Sequence, residues 1–391
     1  MNVAFFCIPA HGHTNPTLAV VRELTAHGHT VRYYTTEAFR AKVEAAGAVF
    51  VPFGAESARP GMTSADGARL GSDLAFSTKL IVDLTLAADD WLSRELAAHR
   101  PDVIVGDSMA FWPKLAARKH GIPFVSSTTT FAFNRFSAKV IGQNGAGLLQ
   151  FLLAQPRINR QLKRLRAAGY AVRSVFDIIA NDNETETIVY TSPELQPCAD
   201  TFSEKYHFVG PLLRPAQSSF EKLPGRSLVY ISLGTVNNDA LPFYRACLAA
   251  FGGDPRLQLV LSAGTQTDLA ALGPIPENCT VRASVDQMAV LDRADVFLTH
   301  CGMNSASEGL WHGLPLVLYP QTPEQHGVAN RVAALGAGVP LTDTSADGIR
   351  RAVETALTDP AYRENAQKLA DGFRRCGGAA EAADAIERAA K

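Results

Sequence analysis

Twice along this chain, apolar runs of strand length alternate with stretches of helical periodicity, and that order constrains the fold more than any other feature. "VAFFCI" (3–8) reads as a buried strand. A helix follows with Leu18, Val21 and Leu24 on one face, and Gly28 ends it. "TVRYYTT" (30–36), "DVIVGD" (102–107) and "IPFVSSTT" (122–129) read as further strands, with helices at "RAKVEAAG" (40–47) and "WPKLAARKHG" (112–121). Strand and helix in this alternation build a parallel, doubly wound α/β sheet. A second alternation runs through "LVYISLGT" (228–235), "QLVLSAG" (258–264), "CTVRASV" (279–285), "DVFLTHCG" (295–302) and "PLVLYP" (315–320). Between the two lies "FVGPLLRPAQSSFEKLPGRS" (208–227), rich in the turn formers Pro211, Pro215, Pro224, Gly210 and Gly225. The expected division is a domain over 1–210, a linker over 211–226, a second domain over 227–375 and a closing helix over 376–391. At roughly 150 residues per domain, 391 residues accommodate this. Residues 54–75 and 131–165 break the pattern and are expected to leave the sheet.

Composition narrows the partners. A net charge of −1 gives no bulk attraction to nucleic acid or to an anionic membrane. No run approaches the roughly 18–20 apolar residues of a membrane span. "NVAFFCIPA" lacks the basic start of a signal peptide, so a cytoplasmic protein is expected. The six cysteines are scattered, without C-x-x-C or metal-ligand spacing, and read as buried free thiols.

The second domain carries a strand–turn–helix with chemical content. The strand 295–299 ends in His300, Cys301, Gly302 and Met303, and Asn304 or Ser305 is expected to cap the helix that follows. A strand end turning into a helix N-terminus is an anion site, because free N–H groups and the helix dipole face the ligand. A protonated or donor histidine there adds to phosphate binding. Ser305 and Glu308 also form an S-x-x-E capping box, which needs no ligand. Glu308 could equally accept bonds from ribose hydroxyls, and the two roles are compatible.

The segment "THCGMNSASEGLWHGLPLVLYPQTPEQ" resembles the nucleotide-sugar signature of the UDP-glycosyltransferase superfamily, in its bacterial branch of macrolide and flavonoid glycosyltransferases. The resemblance runs from "PAHGHTNPTLAVVREL" to "EQHGVANRV". It implies the GT-B architecture: two doubly wound, Rossmann-like parallel-sheet domains facing across a cleft. The N-terminal domain would bind the acceptor and the C-terminal one the nucleotide sugar, with the last helix packing back on the N-terminal domain. By the same resemblance His300 contacts the donor pyrophosphate, with Gly302, Asn304 and Ser305 along it. Gly234 and Thr235 line the phosphate side. Glu308 holds the ribose, Val285 and Gln287 lie near the uridine, and Glu324 and Gln325 grip the transferred sugar. Many relatives place a tryptophan before that last region to stack on uracil. Here "RASVDQ" has Arg282 and no aromatic, which leaves UDP and TDP both open.

The opening "IPAHGHTNPTLAVVREL" (8–24) holds two histidines. Asn15 suits a helix cap and Pro16 the first helical position, so His11 to Thr14 are expected to form a loop at a strand's C-terminal end. Ligands of open α/β sheets sit there. Either histidine could be only a hydrogen-bonded loop residue. The resemblance separates them, since its pattern G-H-x-N-P makes His13 the catalytic base and His11 a neighbour. Histidine suits the task because its ordinary pKa lies near neutrality. Asp107 would orient it, as in a Ser-His-Asp triad with the acceptor hydroxyl in place of serine. Alternatively Asp107 only caps the helix beginning near Ser108.

The implied reaction is inverting transfer of a hexose, glucose foremost, from a UDP-sugar to a hydroxyl of a lipophilic small molecule such as a phenol, flavonoid or macrolide. The UDP-sugar is a co-substrate, and no further cofactor is implied. No D-x-D motif is present to hold a divalent ion, so metal independence is expected. Phe76, Trp112, Phe131, Phe133 and Phe136 are candidates for the acceptor wall, though each could be core. P-loop, H-E-x-x-H and G-x-S-x-G motifs are missing. A sugar-nucleotide epimerase and a non-catalytic nucleotide-sugar-binding protein are the competing readings. The His13–Asp107 pair weighs against both, and nothing in the sequence sets an oligomeric state.

Overall fold

Parallel strands buried on both faces need apolar side chains in both directions, and β1 (Asn2–Phe6) meets that demand. Val3, Phe5 and the following Cys7 enter one core layer, while Ala4 and Phe6 enter the layer on the opposite face. The computed structural model describes residues 1–53, 73–134, 136–137, 147–179, 183–235 and 237–391. Of the two stretches expected to leave the sheet, 54–72, 135 and 138–146 lie outside the described residues. The chain divides into two compact units, Met1–Leu212 with Gly377–Lys391, and Leu213–Cys376.

In the first unit the chain continues through α1 (His11–Ala26), β2 (Thr30–Thr35), α2 (Arg40–Ala45), β3 (Val49–Pro52), α3 (Leu74–His99), β4 (Val103–Asp107), α4 (Phe111–His120) and β5 (Phe124–Thr128). Helices α5 (Gly147–Ala167) and α6 (Phe176–Ile179) precede β6 (Thr187–Val189) and β7 (Tyr206–Phe208). Phe151 and Leu152 fall on α5, but their side chains lie outside the described residues. The sheet order is β3-β2-β1-β4-β5-β6-β7, and every pairing is parallel. The order reverses between β1 and β4, the topological switch point where open α/β sheets bind ligands.

The second unit holds β8 (Ser227–Ser232), α7 (Leu241–Phe251), β9 (Leu257–Ser262), β10 (Cys279–Arg282), α8 (Gln287–Leu291), β11 (Val296–Thr299), α9 (Met303–Trp311), β12 (Leu316–Leu318), α10 (Pro323–Ala334), β13 (Gly338–Pro340), α11 (Ala346–Thr358) and α12 (Pro360–Arg375). Its sheet runs β10-β9-β8-β11-β12-β13, again all parallel, and reverses between β8 and β11. The architecture is GT-B, two parallel α/β sheets of seven and six strands. The last helix, α13 (Gly378–Ala389), belongs to the first unit, where Ala382, Ala383 and Ile386 join the core layer of β1 and α1. All six cysteines are free, with Cys7, Cys247, Cys279 and Cys301 buried. No helix among the described residues is long and apolar enough to cross a membrane.

Candidate active site

Both switch points carry the polar side chains singled out in the sequence. In the first unit β4 ends on Asp107, whose carboxylate is fully buried. Its Oδ2 lies 2.7 Å from His13 Nδ1, and its Oδ1 accepts the Met109 N–H at 2.8 Å. A carboxylate only accepts, so the bond places the hydrogen on Nδ1 and leaves Nε2 as the ring's lone pair. The Thr129 hydroxyl sits 2.9 Å from the same Nδ1, after the end of β5. His13 keeps 17% of its side chain exposed, which is enough for a ligand to reach the ring. The Cys7 thiol points at Asp107 Oδ2 from 3.8 Å, and burial first, then the Asp107 charge, push its pKa far up. His11 goes elsewhere. It is exposed, meets Phe39 edge-on with ring centroids 5.1 Å apart, and lies 3.4 Å from Lys42 Nζ.

Two local expectations are corrected. His11 to Thr14 are not a loop: α1 starts at His11 with Ala10 as its N-cap, and Pro16 lies inside the helix. The His13 and Thr14 amides both reach the Ala10 carbonyl, at 3.0 and 2.9 Å, and close the first turn. The Thr17 hydroxyl braces that turn, donating to the Thr14 carbonyl at 2.8 Å and meeting Tyr33 Oη at 2.7 Å. These contacts outweigh the one helical bond that a proline removes. Asp107 does not cap α4 either, because Ala110 holds that position.

In the second unit His300 follows β11, and its ring occupies the space of two missing side chains. A Cβ on Gly234, which follows β8, would stand 2.6 Å from the ring, and one on Gly302 would stand 2.7 Å from Nε2. Glycine is required at both positions for the imidazole to lie there. Burial pushes the His300 pKa down to about 4, partly offset by the Ser232 backbone. At neutral pH the ring is therefore uncharged and carries one N–H, which excludes the protonated form left open by the sequence. Cys301 takes a left-handed φ of 64° to make the turn, and Gly302 is the N-cap of α9, with no side chain capping it. Neither Asn304 nor Ser305 is the cap, so the expected Ser305–Glu308 box does not form. Glu308 instead accepts from Gln287 Nε2, while Gln287 Oε1 accepts from Tyr230 Oη at 3.0 Å. Burial raises the Glu308 pKa, and the Gln287 bond and the Arg214 charge oppose it.

A capping box does form at α10. The Gln325 amide donates to Thr322 Oγ1 at 3.4 Å, and Gln325 Oε1 accepts from the Gln321 and Thr322 amides at 2.8 and 3.2 Å. Glu324 beside it is exposed, as is Thr235, and Val285 is half-buried. The Arg282 guanidinium donates to the Val281 carbonyl at 3.0 Å.

Residues 254–387 match the family described as erythromycin biosynthesis protein CIII-like, C-terminal domain. The NDP-glycosyltransferase YjiC of Bacillus licheniformis is 33% identical over 395 residues, covering 99% of this chain and 97% of that protein. The demethyllactenocin mycarosyltransferase of Streptomyces fradiae is 33% identical, covering 99% and 86%. The solved glycosyltransferase of kitacinnamycin superposes with a TM-score of 0.85 at 31% identity, over 99% of this chain and 98% of that one. The chain belongs to the bacterial macrolide and NDP-glycosyltransferase family. It is a glycosyltransferase that uses a nucleotide-sugar donor.

The candidate acceptor aromatics of this glycosyltransferase divide by burial. Phe131 is 3% exposed and packed within its unit. Trp112 is half-buried and stacked on Phe53, with centroids 5.4 Å apart. Phe76 is half-buried in the first turn of α3. Phe133 and Phe136 are 50% and 42% exposed. Met109, 52% exposed two residues after Asp107, was not singled out in the sequence. Thr129 and Cys7 were also missed, because only the pairing of β1, β4 and β5 brings them to the dyad.

Proposed function

We propose that this glycosyltransferase moves a hexose from a UDP-sugar to a hydroxyl of a lipophilic natural product, with inversion and without a metal ion. The observation that carries the reading is the 2.7 Å bond between His13 Nδ1 and buried Asp107. It leaves Nε2 free to take the acceptor's proton. The acceptor oxygen then attacks the anomeric carbon, the bond to the diphosphate breaks, and its electron pair leaves with the nucleoside diphosphate. A single displacement turns an α-linked donor into a β-glycoside. The uncapped N-terminus of α9 and the neutral His300 would stabilise the leaving diphosphate, with Gly234, Thr235, Gly302, Asn304 and Ser305 along it. Glu308 would accept the ribose hydroxyls, with Val285 and Gln287 toward the base. Glu324 and the remaining NH₂ of Gln325 would take the sugar hydroxyls. Phe133 and Phe136, with half-buried Phe76, would offer an apolar face to the acceptor.

A second donor class has its own support: a relative at 33% identity is named as a mycarosyltransferase, which points to a deoxysugar. The test is a mass-spectrometric screen with EDTA present, pairing UDP-glucose or TDP-deoxysugars with phenols, flavonoids and macrolides. A hexosyl mass gain from UDP-glucose supports the reading, and a gain only from TDP-deoxysugars replaces its donor. Transfer abolished by EDTA would contradict metal independence.

A further inference from the structure

Among the described residues, His27, His29 and Glu387 form one group whose ligand atoms all lie within 4.8 Å of one another. We propose that this group binds a divalent cation of the Zn²⁺ type and fastens α13 to the N-terminal end of the chain.

The backbone holds the two histidines in fixed relation. Helix α1 ends at Ala26, His27 is its C-cap, and Gly28 takes a left-handed φ of 82°. The Gly28 amide bonds the Thr25 carbonyl and the His29 amide bonds the Leu24 carbonyl, both at 3.0 Å. That pattern is a Schellman motif, which sets His27 and His29 two residues apart on a rigid turn. Glu387 comes from the last turn of α13. Its Oε1 lies 2.7 Å from His27 Nδ1 and 2.9 Å from His29 Nε2. The Met1 amino group lies 3.2 Å from the other ring nitrogen of His29; a metal on Nε2 puts the ring hydrogen on Nδ1, so the amine there must accept it as neutral NH₂.

The surroundings suit a cation. The C-terminal turns of α1 and α13 meet here, and helix C-termini favour positive charge. Glu23 Oε1 stands 3.6 Å from His27 Nε2, and Asp384 adds a second carboxylate nearby. Side-chain exposures of 38%, 18% and 26% for His27, His29 and Glu387 let an ion enter from solvent. Two imidazoles and one carboxylate match Zn²⁺, with water as the fourth ligand, and exclude the all-oxygen preference of Mg²⁺ and Ca²⁺. Ligands about 2.0–2.2 Å from a tetrahedral ion stand roughly 3.3 Å apart, and the three ligand atoms here lie within 4.8 Å of one another, with Glu387 Oε1 at 2.7 and 2.9 Å from the two nitrogens. Without the ion, α13 is held by a face with Ile386 as its one large buried side chain beside Ala382 and Ala383. A metal bond from the adjacent Glu387 would secure that face. Each coordinating nitrogen must be free of hydrogen, so protons compete with the metal for the site.

The test is calorimetric titration of the full chain, freed of any histidine tag, with ZnCl₂, alongside Co²⁺ absorption spectra. Expected are one equivalent per chain, the visible bands of tetrahedral Co²⁺, and a melting temperature about 5 °C higher at a hundredfold excess over Kd. His29→Gln and Glu387→Gln should each weaken binding at least tenfold, with Mg²⁺ unable to compete. His27→Gln, at the most exposed ligand, repeats the comparison if Glu387→Gln loosens α13. None of the three belongs to the proposed transfer machinery, so turnover should stay unchanged in the variants. No saturable uptake, uptake indifferent to all three substitutions, or displacement by Mg²⁺ would each overturn the site. The remaining explanation would then be a hydrogen-bonded cluster only.

Discussion

Asp107 Oδ2 holds His13 Nδ1 at 2.7 Å, with the Thr129 hydroxyl 2.9 Å from the same nitrogen, so the tautomer of the proposed base rests mainly on the buried carboxylate. Asp107→Asn keeps the shape but can present its NH₂ to the ring, which favours the wrong tautomer. Turnover is expected to fall about 10²–10⁴-fold while nucleotide affinity, measured by calorimetry, stays within twofold. Gly302 tests the donor side. Gly302→Ala places a Cβ 2.7 Å from His300 Nε2 and must move the ring. Overpacking of this kind costs about 1–3 kcal/mol, so donor affinity should drop about tenfold or more, and less in a His300→Asn background. His300 also sets a pH dependence. Its folded pKa of about 4 lies below the ordinary 6.5, so the unfolded chain binds a proton that the folded chain refuses. The resulting stability is complete above pH 6.5 and is lost as the pH falls toward 4. His300→Asn should flatten that part of the melting-temperature profile. In the sequence Asp107 and His300 stand out because each ends a strand or directly follows one, whereas only the family resemblance separates His13 from His11. The sequence did not reveal that two glycines accommodate the His300 ring. Nor did it reveal Thr129, 116 residues from His13, because that contact exists only once β4 and β5 pair.

Helix boundaries show where local signals mislead. Two segments match a capping box, Ser305-x-x-Glu308 and Thr322-x-x-Gln325, and only the second forms one. Helix α9 starts at Met303, so Ser305 is already its third residue, and Glu308 is engaged by Gln287. Stability measurements can separate the two. Thr322→Ala should cost about 1 kcal/mol by denaturant unfolding, whereas Ser305→Ala should stay within about 0.5 kcal/mol. The start of α1 departs from its local signals for a related reason. Asn15 and Pro16 are good start signals, but the Thr17–Tyr33 contact stabilises a turn that begins five residues before Pro16. Strand assignments fared better because "VAFFCI" and "LVYISLGT" are apolar on both faces, as parallel strands must be. The short strands β6 and β13, of three residues each, show no periodicity, whereas β12, equally short, sits inside the apolar run "PLVLYP".

At the scale of the whole chain, one device is used twice: a parallel sheet reverses its order, and polar side chains collect at the reversal. Alternation of runs made the two sheets legible, but strand order required the structure. The return of α13 to the first unit came only from family resemblance, since its alanine-rich pattern says nothing about where it docks. Ile386 is fully buried there, and Ile386→Ala should cost about 2–4 kcal/mol, read as a lower melting temperature. The central claim is that a nucleotide-sugar glycosyltransferase uses His13 to deprotonate its acceptor. Its most direct test is turnover of His13→Ala against wild type on the best acceptor, with donor Kd measured on both proteins. A loss of about 10²–10⁴-fold in kcat with Kd unchanged is the expected result. Turnover within tenfold of wild type at equal donor affinity would contradict it.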